Sequence, residues 1–355
     1  MAKFKVYDIF RALHIDKQAK ALQDGLLDSL CRFKSKIYFS RLHLTALSNS
    51  QKPSRVLIAA NISGIGNCIA ATPLAQAVRI AMPNAEITFM ASKGDLFDSW
   101  HIPDKIIKDK TPPAELSFDY TLIPYWGDKI HPSWLYEPRC GKVLAYKNAC
   151  NKWFLKPERE YDLDIARRLG YKGGLLPEYV GIKPAELVPQ GRKIITLLPC
   201  SKPDQRWEGK KWPKFHELIN LITEELPDYT VCIAGLESDE IEAGFDKANV
   251  LDLRGRLSLA ETAFLLKNSE LAVANDSGPA HISDAAGTYT IWLFGMSCIV
   301  KNHPMNKYRI LKSAEKCSPC QYTGEHENCP EPRCINSISA EKVLEEIKRF
   351  LNTNH

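Results

Sequence analysis

No apolar run in this 355-residue chain reaches the roughly 18 residues a membrane-spanning helix needs, which excludes a body built on spanning helices. The first residues hold no signal-peptide core, so the expected location is the cytoplasm, with peripheral contact to the inner membrane left open. A strong excess of one charge is also missing. The net charge of +5 gives no argument for a nucleic-acid partner, and none is expected. Eleven cysteines, an odd number unevenly spread, make a poor disulfide framework and point to free thiols or a metal. What is present is ordinary for a globular protein: 45% hydrophobic and 25% charged residues. The length exceeds one ordinary core and suits two domains with additions.

Residues 1–54 read as a helical extension. Val6, Ile9, Phe10 and Leu13, then Leu22, Leu26, Leu27 and Leu30, recur at helical spacing. Basic residues dominate here, so the segment either packs on the body or a second subunit, or lies on an anionic membrane surface. The expected division is then an N-terminal α/β domain over 55–185 and a second over 186–338. Within the second lies a cysteine-rich loop, 317–334, and residues 339–355 form a helix packing back.

Ser54 to Ala60 predicts a buried strand, Asn61 to Asn67 a glycine-rich turn, Cys68 to Ala81 a helix, and AEITFMA a second strand. This is a βαβ unit with a parallel pair. Its GxG lacks the full dinucleotide fingerprint, and no acidic residue closes the second strand. Phe118 to Pro124 predicts a strand leading into Tyr125-Trp126-Gly127-Asp128. Strand ends line ligand clefts in such domains, so this loop is assigned to the cleft of the first domain. Trp126, Trp134 and Tyr136 suit sugar stacking or plain core packing. Arg139, Lys142, Lys147 and Lys152 suit a phosphorylated acceptor or a solvated face. A helix is expected from Tyr161 to Leu169.

The second half repeats the alternation. Lys193 to Pro199 and Tyr229 to Ala234 read as strands, with helices over Lys214 to Glu225 and Leu259 to Lys267. A carboxylate past the second of these strands is placed for ribose hydroxyls: Glu240 first, Glu237 second. The central stretch is LAVANDSGPAHISDAAGTYTIWLFG, Leu271 to Gly295. It predicts a buried strand, a polar turn, a short helix and a strand. Asn275 and Asp276 fall where an N-cap belongs, Pro279 in the first turn, Gly287 at the stop. A helix opening on Asp-Ser-Gly aims amides and its positive dipole end at one spot, which suits a phosphate or diphosphate, with His281 facing it. The alternative is an Asp that merely caps its own helix.

Asp276-Ser277-Gly278-Pro279-Ala280-His281 followed by AAGTYTIWLFG resembles the D-[ST]-G-x-x-H signature of the ADP-heptose:lipopolysaccharide heptosyltransferase family. The resemblance runs from Arg55 onward. It implies two facing Rossmann-like domains, the GT-B architecture, and inverting sugar transfer from a nucleotide diphosphate donor to a glycan acceptor. Asp276, Ser277, Gly278 and His281 would hold the donor diphosphate. Lys210-Lys211-Trp212-Pro213 is similar to the family's K-x-W-P block, which implies donor-phosphate contacts for Ser201 and Lys210, or Lys211 if the register slips. Lys210 would offset charge on the departing diphosphate, and no cofactor would be required for catalysis. The glycine-rich turn is similar to the family's pattern after its first strand, which puts Gly66 and Asn67 on the acceptor side. There the family's general base is an Asp, and this chain has Asn67. An amide cannot accept the proton, so Asn67 would only position the acceptor. Asp95, Asp119, Asp128 and His131 are the candidate bases from the same half.

The tail carries Cys317, Cys320, Cys329 and Cys334 as C-x2-C-x8-C-x4-C. Four thiolates at this spacing suit tetrahedral Zn or Fe, with Cys298 and His326 as substitutes, or stay reduced thiols or a redox pair. Ser339 opens a final helix with an apolar stripe of Val343, Leu344, Ile347, Phe350 and Leu351. The combined expectation is transfer of a heptose or related sugar from a nucleotide diphosphate donor, ADP-heptose first among them, to lipopolysaccharide core or another glycan. A nucleotide-sugar epimerase or hydrolase, and a non-catalytic nucleotide- or glycan-binding relative, are the alternatives. The sequence is silent on oligomeric state.

Overall fold

A computed structural model describes residues 54–60, 64–91, 95–125, 133–150, 155–200, 205–239, 241, 247–321 and 325–353. The expectations for residues 1–53 lie outside it. Among the described residues, no helix is long and apolar enough to cross a membrane.

The chain begins with β1 (Arg55–Ala59), α1 (Ile65–Ala70), α2 (Thr72–Ala81) and β2 (Glu86–Met90). One helix was expected here and two are found. Pro73 has no N–H for the Ile69 carbonyl, and the Thr72 hydroxyl bonds that oxygen instead at 2.7 Å. β3 (Lys105–Ile107), β4 (Tyr120–Ile123) and β5 (Lys142–Ala145) complete a parallel sheet ordered β3-β2-β1-β4-β5. Then come α3 (Tyr146–Ala149) and α4 (Glu158–Arg167). α4 starts three residues before Tyr161, because Pro157 ends the extended approach and Glu158 and Glu160 favour a first turn.

The second half contains β6 (Lys193–Leu198), α5 (Phe215–Glu225), β7 (Tyr229–Ile233), β8 (Val250–Asp252), α6 (Leu259–Lys267) and β9 (Leu271–Asn275). It continues with α7 (Gly278–Ala285), β10 (Thr290–Phe294), β11 (Tyr308–Lys312), α8 (Arg333–Asn336) and α9 (Ala340–Thr353). Its sheet is parallel throughout, ordered β11-β10-β9-β6-β7-β8. Every residue of β7, β9 and β10 is buried, as expected of strands covered on both faces. α6 opens on a capping box: the Ser258 amide donates to the Glu261 carboxylate at 2.9 Å, and the Glu261 amide returns to Ser258 Oγ. α9 buries Val343, Leu344, Ile347 and Leu351 beside Leu218, Ile219 and Ile222 of α5, while Phe350 stacks on Tyr289.

Strand order in each sheet reverses direction at one place. In the first sheet β1 lies between β2 and β4; in the second β6 and β9 are neighbours although the chain runs from each to opposite edges. Crevices open at the carboxyl ends of strands at such switch points. α1, which follows β1, packs against the start of α7, which follows β9. Most apolar side chains of α1, α2 and α7 join one buried cluster shared by both halves.

Candidate active site

Where α1 meets α7, glycine sets the distance. A Cβ on Gly66 would lie 2.6 Å from the His281 ring, and one on Gly278 would lie 3.1 Å from Ile65 Cβ. Larger residues would hold the two switch points apart. α7 starts at Ser277, whose extended backbone (φ −149°, ψ 175°) is that of an N-cap, yet its side chain makes no capping bond. Ser277 Oγ and His281 Nδ1 are both buried without a protein partner. Two unsatisfied polar atoms beside a helix N-terminus make a site ready for an anion with acceptor oxygens.

Asp276 does not cap its own helix. Its buried carboxylate accepts from Lys210 Nζ at 2.8 Å and from Asn302 Nδ2 at 2.8 and 3.0 Å. Burial pushes this carboxyl up, but the Lys210 charge and hydrogen bond outweigh that and hold it at about 2. Lys210 reaches the turn; it ends the 3-10 helix Gln205–Lys210 and also bonds the Asp276 carbonyl at 3.2 Å. Asn275 closes the end of β9 by donating to the Pro199 carbonyl and accepting from the Trp212 amide.

A second polar group comes from α4. Glu158 accepts from Asn67 Nδ2 and pairs with Lys301 Nζ at 2.9 Å, both partners of the ion pair being buried. Lys301 also donates to Asn302 Oδ1 at 2.7 Å. Side chains thus run without a break from Asn67 through Glu158, Lys301, Asn302 and Asp276 to Lys210. Next to them Arg159 pairs with Glu178 at 3.0 Å and donates to the His303 carbonyl. Burial above all, with the nearby Glu158 charge, holds Asp162 well above the usual carboxylate range. No pattern in the sequence marked Glu158, Arg159, Lys301 or Asn302, since the contacts that tie them into the site, Asn67–Glu158, Glu158–Lys301, Asn302–Asp276 and Arg159–His303, join residues far apart in the chain.

His281 is held down to about 3, first by burial and then by the Arg159, Lys301 and Lys210 charges, against the pull of Asp276. It is therefore neutral in the folded protein. The depressed value means its contribution to stability is complete above 6.5 and is lost as pH falls toward about 3. We expect the stability difference between wild type and His281→Gln to shrink as pH falls through this window. Urea unfolding at successive pH values checks it, and a difference independent of pH would contradict the neutral assignment.

Of the other expected residues, Asp128, His131 and Trp126 lie outside the described residues, as do Ser201 and Glu240. Asp95 is not open for catalysis: it accepts from Ser258 Oγ and the Ala260 amide at the start of α6. Asp119 is bound to the Arg55 amide at the opposite end of β1. Trp134 is a core residue, and Arg139 is spent on Glu137 and the Pro113 carbonyl. At the end of β7, Glu237 is exposed. The buried carboxylate there is Asp239, bonded to the Leu236 amide at 2.7 Å.

The expected metal centre does not assemble. Among the described residues, no three His, Cys, Asp or Glu side chains are grouped to hold an ion. Cys320 and Cys334 turn inward, Cys334 lying close to Gly295, whereas Cys317 and Cys329 are exposed. Cys329 Sγ donates to the Glu331 carbonyl. The spacing allowed a tetrahedral set, but two of the thiols are buried and two are exposed, with Cys317 and Cys329 near enough to Cys334 to help raise it above its ordinary value, first of all by burial.

Two parallel α/β sheets with opposed switch points, joined by glycine contacts and a buried polar relay, define the GT-B architecture. Residues 170–330 match the family model of Glycosyltransferase family 9 (heptosyltransferase). It is 28% identical over 181 residues to a lipooligosaccharide heptosyltransferase 2 of Campylobacter jejuni, covering 48% of this chain and 54% of that one. It spans about half the length of the curated relatives it matches. The structure is similar to that of the E. coli ADP-heptose lps heptosyltransferase II, with TM-score 0.65 and 17% identity over 85% of this chain and 99% of the other. It is also similar to the dodecameric iron-containing heptosyltransferase TibC of E. coli in complex with ADP-D-beta-D-heptose, with TM-score 0.60 and 14% identity over 86% and 78%. At these identities the structural likeness establishes the fold.

Proposed function

We propose that this protein is a glycosyltransferase that moves a heptose from a nucleotide diphosphate donor, ADP-heptose, to a glycan such as lipopolysaccharide core. One observation carries the reading: the start of α7 gathers a helix N-terminus, the unpartnered Ser277 Oγ and His281 Nδ1, and Lys210 in one place. That set suits a diphosphate that gains negative charge as its bond to the sugar breaks. Lys210 supplies the point charge, and Asp276 and Asn302 hold it on line. The C-terminal sheet serves the donor and the N-terminal sheet the acceptor, with the boundary near residue 185. Because Ile65 and Gly66 rest on Gly278 and His281, donor entry requires the halves to part and transfer requires them to close.

The test is release of ADP from ADP-heptose by the purified protein, with and without a lipopolysaccharide-core acceptor. We expect release to depend on acceptor and to match sugar transferred. Release that ignores acceptor would mean a hydrolase, and tight ADP binding without turnover would mean a binding protein; either result removes the proposal.

A further inference from the structure

We infer that the acceptor hydroxyl is deprotonated by Glu158, a residue of α4, and that Asn67 is an amide because it must donate to this carboxylate. The inference rests on the transferase reading above and adds the group that completes it. Transfer to a hydroxyl needs a proton acceptor on the acceptor side of the sugar carbon, within reach of the diphosphate site. The residues that confront the α7 start are Ile65 and Gly66 at the opening of α1, and the carboxylate that meets the next residue, Asn67, belongs to Glu158.

The chemistry of the contact is specific. An ionised carboxylate only accepts, so the Asn67 side chain must present its nitrogen, and it does. An aspartate at 67 would set two carboxylates in contact, and one would have to stay protonated. Asn67 thus fits a site where the carboxylate has come from a helix 91 residues further on. Lys301 holds the second Glu158 oxygen at 2.9 Å, so the group is aimed from two sides. Each carboxylate oxygen keeps a lone pair beyond these bonds.

Other groups nearby are worse placed to take the proton. His281 lies among Arg159, Lys301 and Lys210, which resist a further positive charge. Asp162 is buried and bound to the Tyr125 amide, and Glu178 is fully buried against Arg159. In the step itself, the acceptor O–H proton passes to Glu158 and the oxygen forms its bond to the anomeric carbon. The bond from that carbon to the diphosphate oxygen breaks, and its electron pair stays with the departing nucleotide. Glu158 faces Lys301 from the second half, Asn67 from α1, and Asp162 and Arg159 on its own helix.

The test uses the full chain with ADP-heptose and acceptor. Glu158→Gln keeps the shape and is expected to lower kcat about 10²- to 10⁴-fold, the usual range for a lost general base. ADP affinity should change little and the acid-side fall of kcat/KM should vanish, while the unfolding temperature should drop because buried Lys301 loses its ionic partner. The exchanged pair Asn67→Asp with Glu158→Gln restores one carboxylate and one amide, and should recover roughly tenfold or more of the lost rate. Glu158→Gln that transfers at the wild-type rate with its pH profile intact overturns the inference and leaves the transferase reading standing. Loss of ADP binding together with rate, unrelieved by the exchanged pair, assigns Glu158 a structural role and also overturns it. A wild type that transfers nothing removes both.

Discussion

Lys210→Met should abolish most of the activity, lowering donor turnover about 10²- to 10³-fold, the scale for losing one preorganised charge at a developing anion. The same change should destabilise the protein by about 3 kcal/mol, the low end for breaking a buried ion pair. The low end applies because Asn302 still donates twice to Asp276. Methionine keeps the apolar stem beside Trp207, where Lys210 Nζ lies 5.1 Å from the ring centre, so the loss reports charge rather than packing. The pH dependence has a definite sign. Asp276 titrates at about 2 instead of 3.8, so its contribution is present above 3.8 and lost as pH falls toward 2. In Lys210→Met this contribution disappears, and the stability gap to wild type should narrow in acid. Urea unfolding at neutral and acid pH, with kinetics on the folded fraction, measures both effects. A variant that folds as tightly as wild type would show that Asp276 does not depend on the lysine.

The largest stability effect is expected at Arg159. Its side chain is 5% exposed and that of Glu178 is 0% exposed, so Arg159→Met leaves a carboxylate with no water to replace its partner. We expect a loss of about 3–5 kcal/mol at neutral pH. Glu178 is pushed up to about 7 by burial, which Arg159 only partly offsets. A carboxyl raised above 4.5 makes the fold most stable while it stays protonated, and stability then falls as pH rises from 4.5 to about 7. Without the guanidinium that fall should be deeper, so the gap between variant and wild type should widen with pH. Arg159→Met combined with Glu178→Gln removes both charges and should regain most of the loss. Because Arg159 also donates to the His303 carbonyl, the single variant should loosen the seam between the two halves. Hydrogen exchange at α4 and at residues 301–306 would register that, and unchanged protection there would argue against it.

Much of the fold was legible because its signals are local. β9 and α7 follow from Leu271 to Ala286, where an apolar run gives way to Asp-Ser-Gly-Pro and then to helical spacing. α6 was readable to the residue, since Ser258 and Glu261 cap it within one turn. Gly66 and Gly278 were legible as members of two polar, glycine-bearing turns, but not what packs against them. That turned out to be each other's helix, across the seam.

The sequence by itself determined the alternation of buried strands and amphipathic helices, the two sheets they imply, and a helix start suited to diphosphate. These depend on periodicity, caps and backbone freedom, which neighbouring residues settle among themselves. Tertiary structure alone decided that Asp276 serves Lys210 and Asn302 instead of its own helix, that Asn67 answers to Glu158, and that two of the four tail cysteines are buried and two exposed. Those outcomes depend on which buried charges meet after the two halves close. A desolvated carboxylate takes whatever donors the packing brings, however distant in the chain.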